Sequence, residues 1–223
     1  MKSSKNWQNK TVVVTGASRG IGRAIAESFG TQGAHVIAVA RTIGGLEELD
    51  DAIKKSGGSA TLVPLDVTDT GKLQQLGPQL IGRFPKIDLV VGAAGYLGKL
   101  TSVAQGPMEH WTRSLATNVT ANLTLIQTLH PLLKNAENPR AVFLSADSAI
   151  MGKAYWGFHS ASKAALEALV QSYANENPEM AIELWTPPVT KTRLLEEAYP
   201  GDTKIKMKTP EETASEFMAY LSV

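Results

Sequence analysis

Short apolar runs rich in valine, isoleucine and leucine alternate along the chain with longer stretches of helical periodicity. In the first helical stretch Ile21, Ile25 and Phe29 recur every four residues, as on one face of a helix. The apolar runs show little alternation of apolar and polar positions, which is typical of parallel strands covered on both faces. The runs are Thr11–Thr15, His35–Ala40, Ala60–Leu65, Ile87–Gly92, Arg140–Ser145 and Met180–Trp185.

Strands separated by helices predict an α/β fold, a doubly wound parallel sheet of about six strands flanked by helices, because right-handed crossovers leave few other arrangements. The 223 residues suit one domain spanning 1–223. A last helix is predicted to begin at Thr209, which caps it. Pro210 suits the first helical position, and Glu212 completes a capping box.

Composition excludes several classes of protein. A hydrophobic fraction of 43% supports a packed core and excludes a disordered or fibrous chain. The net charge of +1 predicts no nucleic-acid partner and no membrane partner. The chain has no cysteine, and His35, His110 and His130 lack the spacing of metal ligands, so we expect no disulfide and no metal site. Without a signal peptide or an apolar span, we expect a cytoplasmic protein.

A glycine-rich segment joins the first strand to the first helix. It reads Thr15-Gly16-Ala17-Ser18-Arg19-Gly20-Ile21-Gly22. Glycines at this junction permit a tight turn and close approach of the backbone to a pyrophosphate, while the helix N-terminus supplies amide groups and the positive end of a dipole. A glycine trio alone is a weak signal, but its place in an α/β chain predicts a dinucleotide site formed by Gly16, Ser18, Arg19, Gly20, Ile21 and Gly22.

This spacing resembles that of the short-chain dehydrogenases/reductases, and nearly the whole chain follows the order of their motifs. The resemblance implies a Rossmann-type fold that binds a nicotinamide dinucleotide. It implies adenine contacts from Asp66 and Val67, a loop containing Ala94 and Gly95, and contacts with the nicotinamide carboxamide from Thr190 and Thr192. It also implies that Asn118 and Lys163 are two of the four catalytic residues, and that Lys163 binds the nicotinamide ribose.

The end of the second strand bears on the choice of cofactor. An acidic residue there would hydrogen-bond a ribose 2′-hydroxyl and repel a 2′-phosphate, whereas this chain has Arg41. Arg41 offers a planar fork for phosphate, and Arg19 in the glycine loop can approach from the other side. These two residues favour NADP(H) over NAD(H).

The remaining catalytic positions of the family are altered. A tyrosine is expected four residues before Lys163, where the chain has His159, and a serine thirteen residues earlier, where it has Ala146. His159 is a candidate proton donor, although a histidine packed at the start of a helix is an equal alternative. On an extended strand end Ser148 would point the same way as Ala146, so it is a candidate to polarise a carbonyl; a plain loop hydroxyl is the alternative.

Two functions follow from this altered tetrad. The first is an NADP(H)-dependent oxidoreductase, impaired or altered, that interconverts a small-molecule carbonyl and an alcohol. The second is an inactive NADP(H)-binding pseudoenzyme that acts as a sensor, scaffold or partner subunit. In either case a lid is expected near residues 190–208, with an apolar lining from Leu194, Leu195 and Tyr199, and the resemblance implies a homodimer or homotetramer.

Overall fold

The computed structural model describes residues 7–199, 201 and 205–222. Six parallel strands form one sheet in the order β3-β2-β1-β4-β5-β6. The strands are β1 (Thr11–Thr15), β2 (His35–Ala40), β3 (Ser59–Pro64), β4 (Leu89–Gly92), β5 (Arg140–Leu144) and β6 (Ala181–Trp185). The strand order reverses between β1 and β4, so the sheet is doubly wound, as predicted.

Helices cover both faces of the sheet. They are α1 (Gly20–Thr31), α2 (Ile43–Lys55), α3 (Thr70–Gln74), α4 (Leu76–Ile81), α5 (Met108–Leu115), α6 (Ala121–Lys134), α7 (Ser148–Met151), α8 (Gly157–Glu176), α9 (Arg193–Ala198) and α10 (Pro210–Leu221). A π-helical turn, Ala116–Thr120, joins α5 to α6. None of the helices in the described part of the chain has both the length and the apolar composition needed to cross a bilayer.

Two apolar cores lie on opposite faces of the sheet. One packs against α1, α2 and α10, with the rings of Phe29 and Phe217 at its centre. The other packs against α4, α6 and α8 around Phe143. Within β1, Val12 belongs to the first core and Val13 to the second, because successive side chains of a strand point to opposite faces.

The start of the last helix is confirmed in detail. Thr209 Oγ1 accepts the N–H of Glu212 at 3.2 Å, and a carboxylate oxygen of Glu212 accepts the N–H of Thr209 at 2.8 Å. Pro210 occupies the first turn. These contacts form the capping box that the sequence predicts, and they fix the residue at which α10 begins.

Candidate active site

A cleft of about 1190 Å³ opens at the carboxyl ends of the central strands. In open α/β sheets, ligands bind beside the point where the strand order reverses, because the crossovers leave a crevice there. The walls of the cleft are the glycine loop, the loops that follow β2 to β6, α9, and residues of α5 and α8.

The structure brings nearly all predicted site residues to this cleft. Those that line it are Gly16, Ser18, Arg19, Gly20, Ile21, Gly22, Arg41, Asp66, Val67, Ala94, Gly95, Ser148, His159, Lys163, Thr190 and Thr192. Asn118 is the exception, because it is fully buried behind the wall.

The glycine loop packs too tightly for side chains at two positions. A Cβ on Gly16 would lie 2.9 Å from Cα of Ala94, and a Cβ on Gly22 would lie 2.5 Å from the carbonyl oxygen of Gly16. Gly16 and Gly20 also have φ values of +69° and +57°, in the left-handed region that favours glycine. α1 begins at Gly20, so its unpaired first-turn N–H groups lie at the cleft. The loop forms a cradle for an anion.

The loop after β4 is fixed from two sides. Thr15 Oγ1 accepts the backbone N–H groups of Ala93 and Ala94 at 3.1 and 3.2 Å. The side chain of Asn118 accepts the N–H of Tyr96 and donates to its carbonyl oxygen, each at 2.9 Å. The π-helical turn contains Asn118. Asn118 therefore shapes the cleft through the backbone of Tyr96 rather than by lining it.

The far end of the cleft carries an arginine and a carboxylate. A guanidinium nitrogen of Arg41 lies 3.6 Å from a carboxylate oxygen of Asp66, and both side chains are about half exposed. Burial would raise the pKa of Asp66, but hydrogen bonds from the N–H and hydroxyl of Thr68, with the charge of Arg41, lower it overall. Asp66 is thus held as an anion and orients Arg41. Arg19 lines the same cleft from the glycine loop.

Lys163 lies at the centre of the cleft and is almost fully buried. Its Nζ donates to the carbonyl oxygen of Leu144 at 2.6 Å. Burial lowers the pKa of Lys163 to about 8, although the charge of Glu167 opposes this shift. The ammonium has three donors, so the single bond to Leu144 leaves others for a ligand in the cleft.

His159 is buried beside Lys163, with 4% of its surface exposed. Its Nδ1 lies 3.2 Å from the carbonyl oxygen of Tyr96. A carbonyl only accepts hydrogen bonds, so Nδ1 carries the proton and Nε2 of the neutral ring is a bare acceptor. Burial, together with the charge of Lys163, lowers the pKa of His159 to about 4, against the opposing bond to Tyr96. At neutral pH the imidazole is therefore mostly uncharged.

The serines near position 146 are placed differently from the prediction. The extended geometry assumed for Ser148 is wrong: β5 ends at Leu144, Asp147 has helical backbone angles, and Ser148 begins α7. Ser148 nevertheless lines the cleft, and its buried hydroxyl has no hydrogen-bond partner among the described residues. The hydroxyl of Ser145 donates to Glu167 and is therefore engaged.

The predicted lid is anchored at both ends. The backbone N–H of Lys191 donates to the carbonyl oxygen of Lys208 at 2.8 Å, and the N–H of Lys208 donates to Val189 at 2.9 Å. Thr190 Oγ1 lies 2.7 Å from the carbonyl oxygen of Pro188 and 2.7 Å from Thr213 Oγ1. The Thr190 hydroxyl thus holds the lid to α10.

Between these anchors, α9 of the predicted lid contributes residues to the wall of the cleft. Thr192 caps α9 by accepting the N–H of Leu195 at 3.3 Å, and its methyl group lies over Gly20. Leu194, Leu195 and Tyr199 line the cleft, as their apolar character suggests. Positions 200 and 202–204 of the predicted lid lie outside the described residues.

A family model described as short chain dehydrogenase matches residues 10–202. This chain belongs to the short-chain dehydrogenase family. It is 31% identical over 206 residues to the uncharacterized oxidoreductase YciK of Escherichia coli K12, an alignment that covers 91% of this chain and 82% of YciK.

Two solved short chain dehydrogenases have closely similar folds. One, from Shigella flexneri and complexed with NADP, has a TM-score of 0.88 at 30% identity over 94% of this chain and 90% of the other. The second, from Escherichia coli CFT073 and complexed with NADPH, has a TM-score of 0.89 at 30% identity over 98% of this chain and 92% of the other. Prediction of the family and the fold from the sequence is confirmed.

Several residues of this short-chain dehydrogenase that line the cleft were not predicted from the sequence, among them Tyr96, Arg113 and Lys153. Tyr96 directly follows the predicted Gly95, and its place in that loop was a usable signal. Arg113 lies on α5, five residues before the predicted Asn118, and the sequence holds no local signal that it lines the cleft. No local pattern marks Lys153, because it follows α7 in an irregular loop.

Proposed function

We propose that this short-chain dehydrogenase binds NADP(H) and interconverts a small-molecule alcohol and carbonyl with an altered proton-transfer apparatus. The observation that carries the proposal is the glycine cradle at the N-terminus of α1, because Gly16 and Gly22 allow approaches that a Cβ would block. The solved NADP and NADPH complexes of similar fold support the same cofactor.

The residues present suit a nicotinamide dinucleotide. The N–H groups at the start of α1 would bind its pyrophosphate, and Asp66 and Val67 would contact its adenine. The free donors of Lys163 would bind the nicotinamide ribose, while Thr190 and Thr192 position the lid over the nicotinamide end. When bound, the nicotinamide ring exchanges hydride with the carbon of the substrate.

Arg41 and Arg19 favour NADP(H) over NAD(H). Asp66 orients Arg41 at 3.6 Å, yet about half of the Arg41 side chain stays exposed and able to bind a phosphate. A 2′-phosphate would give Arg41 a dianion with several acceptor oxygens, which forms stronger contacts than a hydroxyl. The carboxylate that would repel this phosphate belongs at the end of β2, whereas Asp66 follows β3. Asp66 therefore does not occupy the repelling position.

His159 acts as a proton acceptor in this proposal. Its Nδ1–H is bound to Tyr96, and Nε2 is the atom left to take a proton from a substrate alcohol. In the reductive direction a charged imidazole is required, and with a pKa of about 4 only about one molecule in a thousand carries that charge at pH 7. Oxidation would thus start from the neutral ring and reduction from the charged one, so the two directions differ in their pH dependence. Ser148, whose buried hydroxyl has no partner among the described residues, is the candidate to contact the substrate oxygen in place of the family's serine, where this chain has Ala146.

The pseudoenzyme remains the second candidate, and one observation favours it. The side chain of Ala146 has no hydrogen-bond donor and His159 is mostly uncharged, so two positions of the family's tetrad no longer supply the usual donor. Losing a general acid typically costs about 10²–10⁴ in rate. Binding of NADP(H) as a sensor, scaffold or partner subunit does not need those groups.

Direction and pH dependence of turnover separate the two functions. An alcohol panel with NADP⁺ and a carbonyl panel with NADPH are assayed from pH 5 to 9. An oxidoreductase that uses His159 as base keeps a flat oxidation rate between pH 5 and 7, while the reduction rate falls about tenfold per pH unit. Above pH 7 the titration of Lys163, whose pKa is about 8, adds a second change to both rates. His159→Asn, which preserves a donor to Tyr96, abolishes the oxidation. No turnover in either direction, with NADPH still bound, supports the pseudoenzyme.

Restoring the family residues provides a matched test of the scaffold. The double variant Ala146→Ser with His159→Tyr returns the expected donor pair to the cleft. A gain of at least about 10² in reductase activity is expected, because a general acid and an oxyanion donor each contribute about that much. A lack of gain with intact NADPH binding contradicts the idea that only these side chains alter the chemistry.

We propose a homodimer or homotetramer as the working assembly. Support comes from the family resemblance and from Leu123 on α6, a large apolar side chain that is 36% exposed. Light scattering after size exclusion tests the assembly. A dimer or tetramer mass is expected, and Leu123→Glu should reduce it; a monomer at micromolar concentration contradicts the proposal.

A further inference from the structure

Besides Lys163, two further cations line the cleft next to the position of the missing catalytic tyrosine. Arg113 comes from α5, and Lys153 from the loop between α7 and α8. Each contacts a residue that itself touches His159: Arg113 lies over Tyr96, and Lys153 lies over Trp156. The ring of Trp156 is 5.9 Å from that of His159. Both cations therefore belong to the substrate end of the cleft, away from Arg19 and Arg41.

The guanidinium of Arg113 lies on a fixed surface. Its central carbon is 4.9 Å from the centre of the Tyr96 ring. The Tyr96 hydroxyl is held 2.7 Å from Nδ1 of His110, and the two rings stack with their planes 15° apart. An aromatic face attracts a cation without neutralising it, and the hydrogen-bonding edge of the guanidinium stays available.

Lys153, in the loop between α7 and α8, is held in a comparable way. Its Nζ is 4.7 Å from the ring of Trp156 and 4.9 Å from the ring of Tyr199, and it donates to the Tyr199 hydroxyl. The contact with Tyr199 joins this loop to the lid. One donated bond leaves two N–H groups of the ammonium for a ligand.

No carboxylate in the described part of the chain forms an ion pair with either cation. Three carboxylates do line this end of the cleft, Asp147, Glu196 and Glu197. Glu197 is paired with Arg193 at 3.2 Å. The net charge of the whole chain is only +1, so these two cations do not reflect a generally basic surface.

We propose that the substrate of this cleft carries an anionic group, a carboxylate or a phosphate, and that Arg113 and Lys153 bind it. This inference rests on the proposed function, because it assigns a substrate class to the same site. Cations held on aromatic surfaces are already oriented before a ligand enters, so little is lost in ordering them. Opposite charge at the mouth of a cleft also speeds the encounter with the ligand.

Matched pairs of probes that differ in charge test the proposal. One pair is 4-oxopentanoate and its methyl ester; the other is dihydroxyacetone phosphate and dihydroxyacetone. Each probe is titrated into the NADP⁺-saturated protein, with calorimetry as the main readout and total tryptophan fluorescence as the second. We expect the anion of at least one pair to bind about tenfold more tightly than its neutral partner at low salt. The pair that responds identifies carboxylate or phosphate.

Charge variants assign the preference to the two residues. Arg113→Gln and Lys153→Gln should each reduce the anion preference by about threefold, and the double variant should remove it. Lys99→Gln is the matched control, because Lys99 is exposed and lies outside the cleft lining. Raising the salt concentration should weaken binding of the anion and leave the neutral partner unchanged.

Several results would overturn the proposal. One is equal binding of the anionic and the neutral probe in both pairs, and another is an anion preference that survives in the double variant. The third is that no anionic probe binds at about 20 mM, a concentration at which even a very weak specific contact is detected. A separate NADPH titration of the same variants should be unchanged. If the parent protein fails to bind NADPH, the proposed function fails. The probes are then titrated into the protein alone, and the same outcomes decide the anion site.

Discussion

Replacing His159 with asparagine should make the fold less sensitive to mild acid. Burial lowers the pKa of the imidazole to about 4 from its ordinary 6.5, so the unfolded chain binds this proton more readily than the folded one. Stability is therefore lost as the pH falls from 6.5 towards 4. The linkage relation gives a loss of about 2 kcal/mol between pH 7 and pH 5, and about 3 kcal/mol below pH 4. These losses are large against a typical domain stability of about 5–15 kcal/mol.

Asparagine is the informative substitute, because its amide nitrogen lies where Nδ1 does and can still donate to Tyr96. Urea unfolding followed by circular dichroism at pH 7, 6 and 5 gives the free energy of unfolding of both proteins. The difference between them should shift by about 2 kcal/mol in favour of the variant at pH 5. Proton NMR of the imidazole gives the pKa directly. A midpoint above 6, or parallel pH profiles for the two proteins, would refute the reasoning.

Three other substitutions test separate contacts. Gly22→Ala should weaken NADPH binding at least about tenfold, because the added Cβ would lie 2.5 Å from the carbonyl oxygen of Gly16. Gly44→Ala is the control for the same titration and should leave binding unchanged, because no atom lies within 4 Å of its added Cβ. Asn118→Ala should lower the urea-derived stability by about 2–3 kcal/mol, since its buried amide forms two bonds to the Tyr96 backbone; a loss under 1 kcal/mol contradicts this. NMR of isotope-labelled lysine side chains should show one titration midpoint near pH 8, because burial lowers the pKa of Lys163 to about 8. This midpoint should be absent in Lys163→Arg. Titration midpoints near 10 for all lysines would contradict the prediction.

The fold and the cofactor end of the cleft could be predicted because their signals are local. Strand ends were placed to within about two residues, since parallel strands buried on both faces leave continuous apolar runs. The glycine loop reads directly from sequence, because close backbone approaches such as Gly22 against Gly16 tolerate no other residue. The capping box at Thr209 is local as well.

The catalytic end could not be predicted to the same depth, because it depends on how separate segments pack. An extended chain was assumed at Ser148, but the turn at Asp147 starts a helix there. The proton position of His159 depends on the carbonyl of Tyr96, which lies 63 residues away in the chain. Arg113 and Lys153 become neighbours of one cleft only when α5 and the loop before α8 pack around His159.

Calorimetric titration with NADPH and NADH tests the central claim, that the glycine cradle binds a phosphorylated nicotinamide dinucleotide. NADPH should bind with a dissociation constant in the micromolar range, about 8 kcal/mol of binding free energy. NADH should bind at least about tenfold more weakly, and Arg41→Ala should remove most of that difference. If neither nucleotide binds at about 1 mM, where a free energy of only about 4 kcal/mol suffices, the cradle has no cofactor role and the account is contradicted.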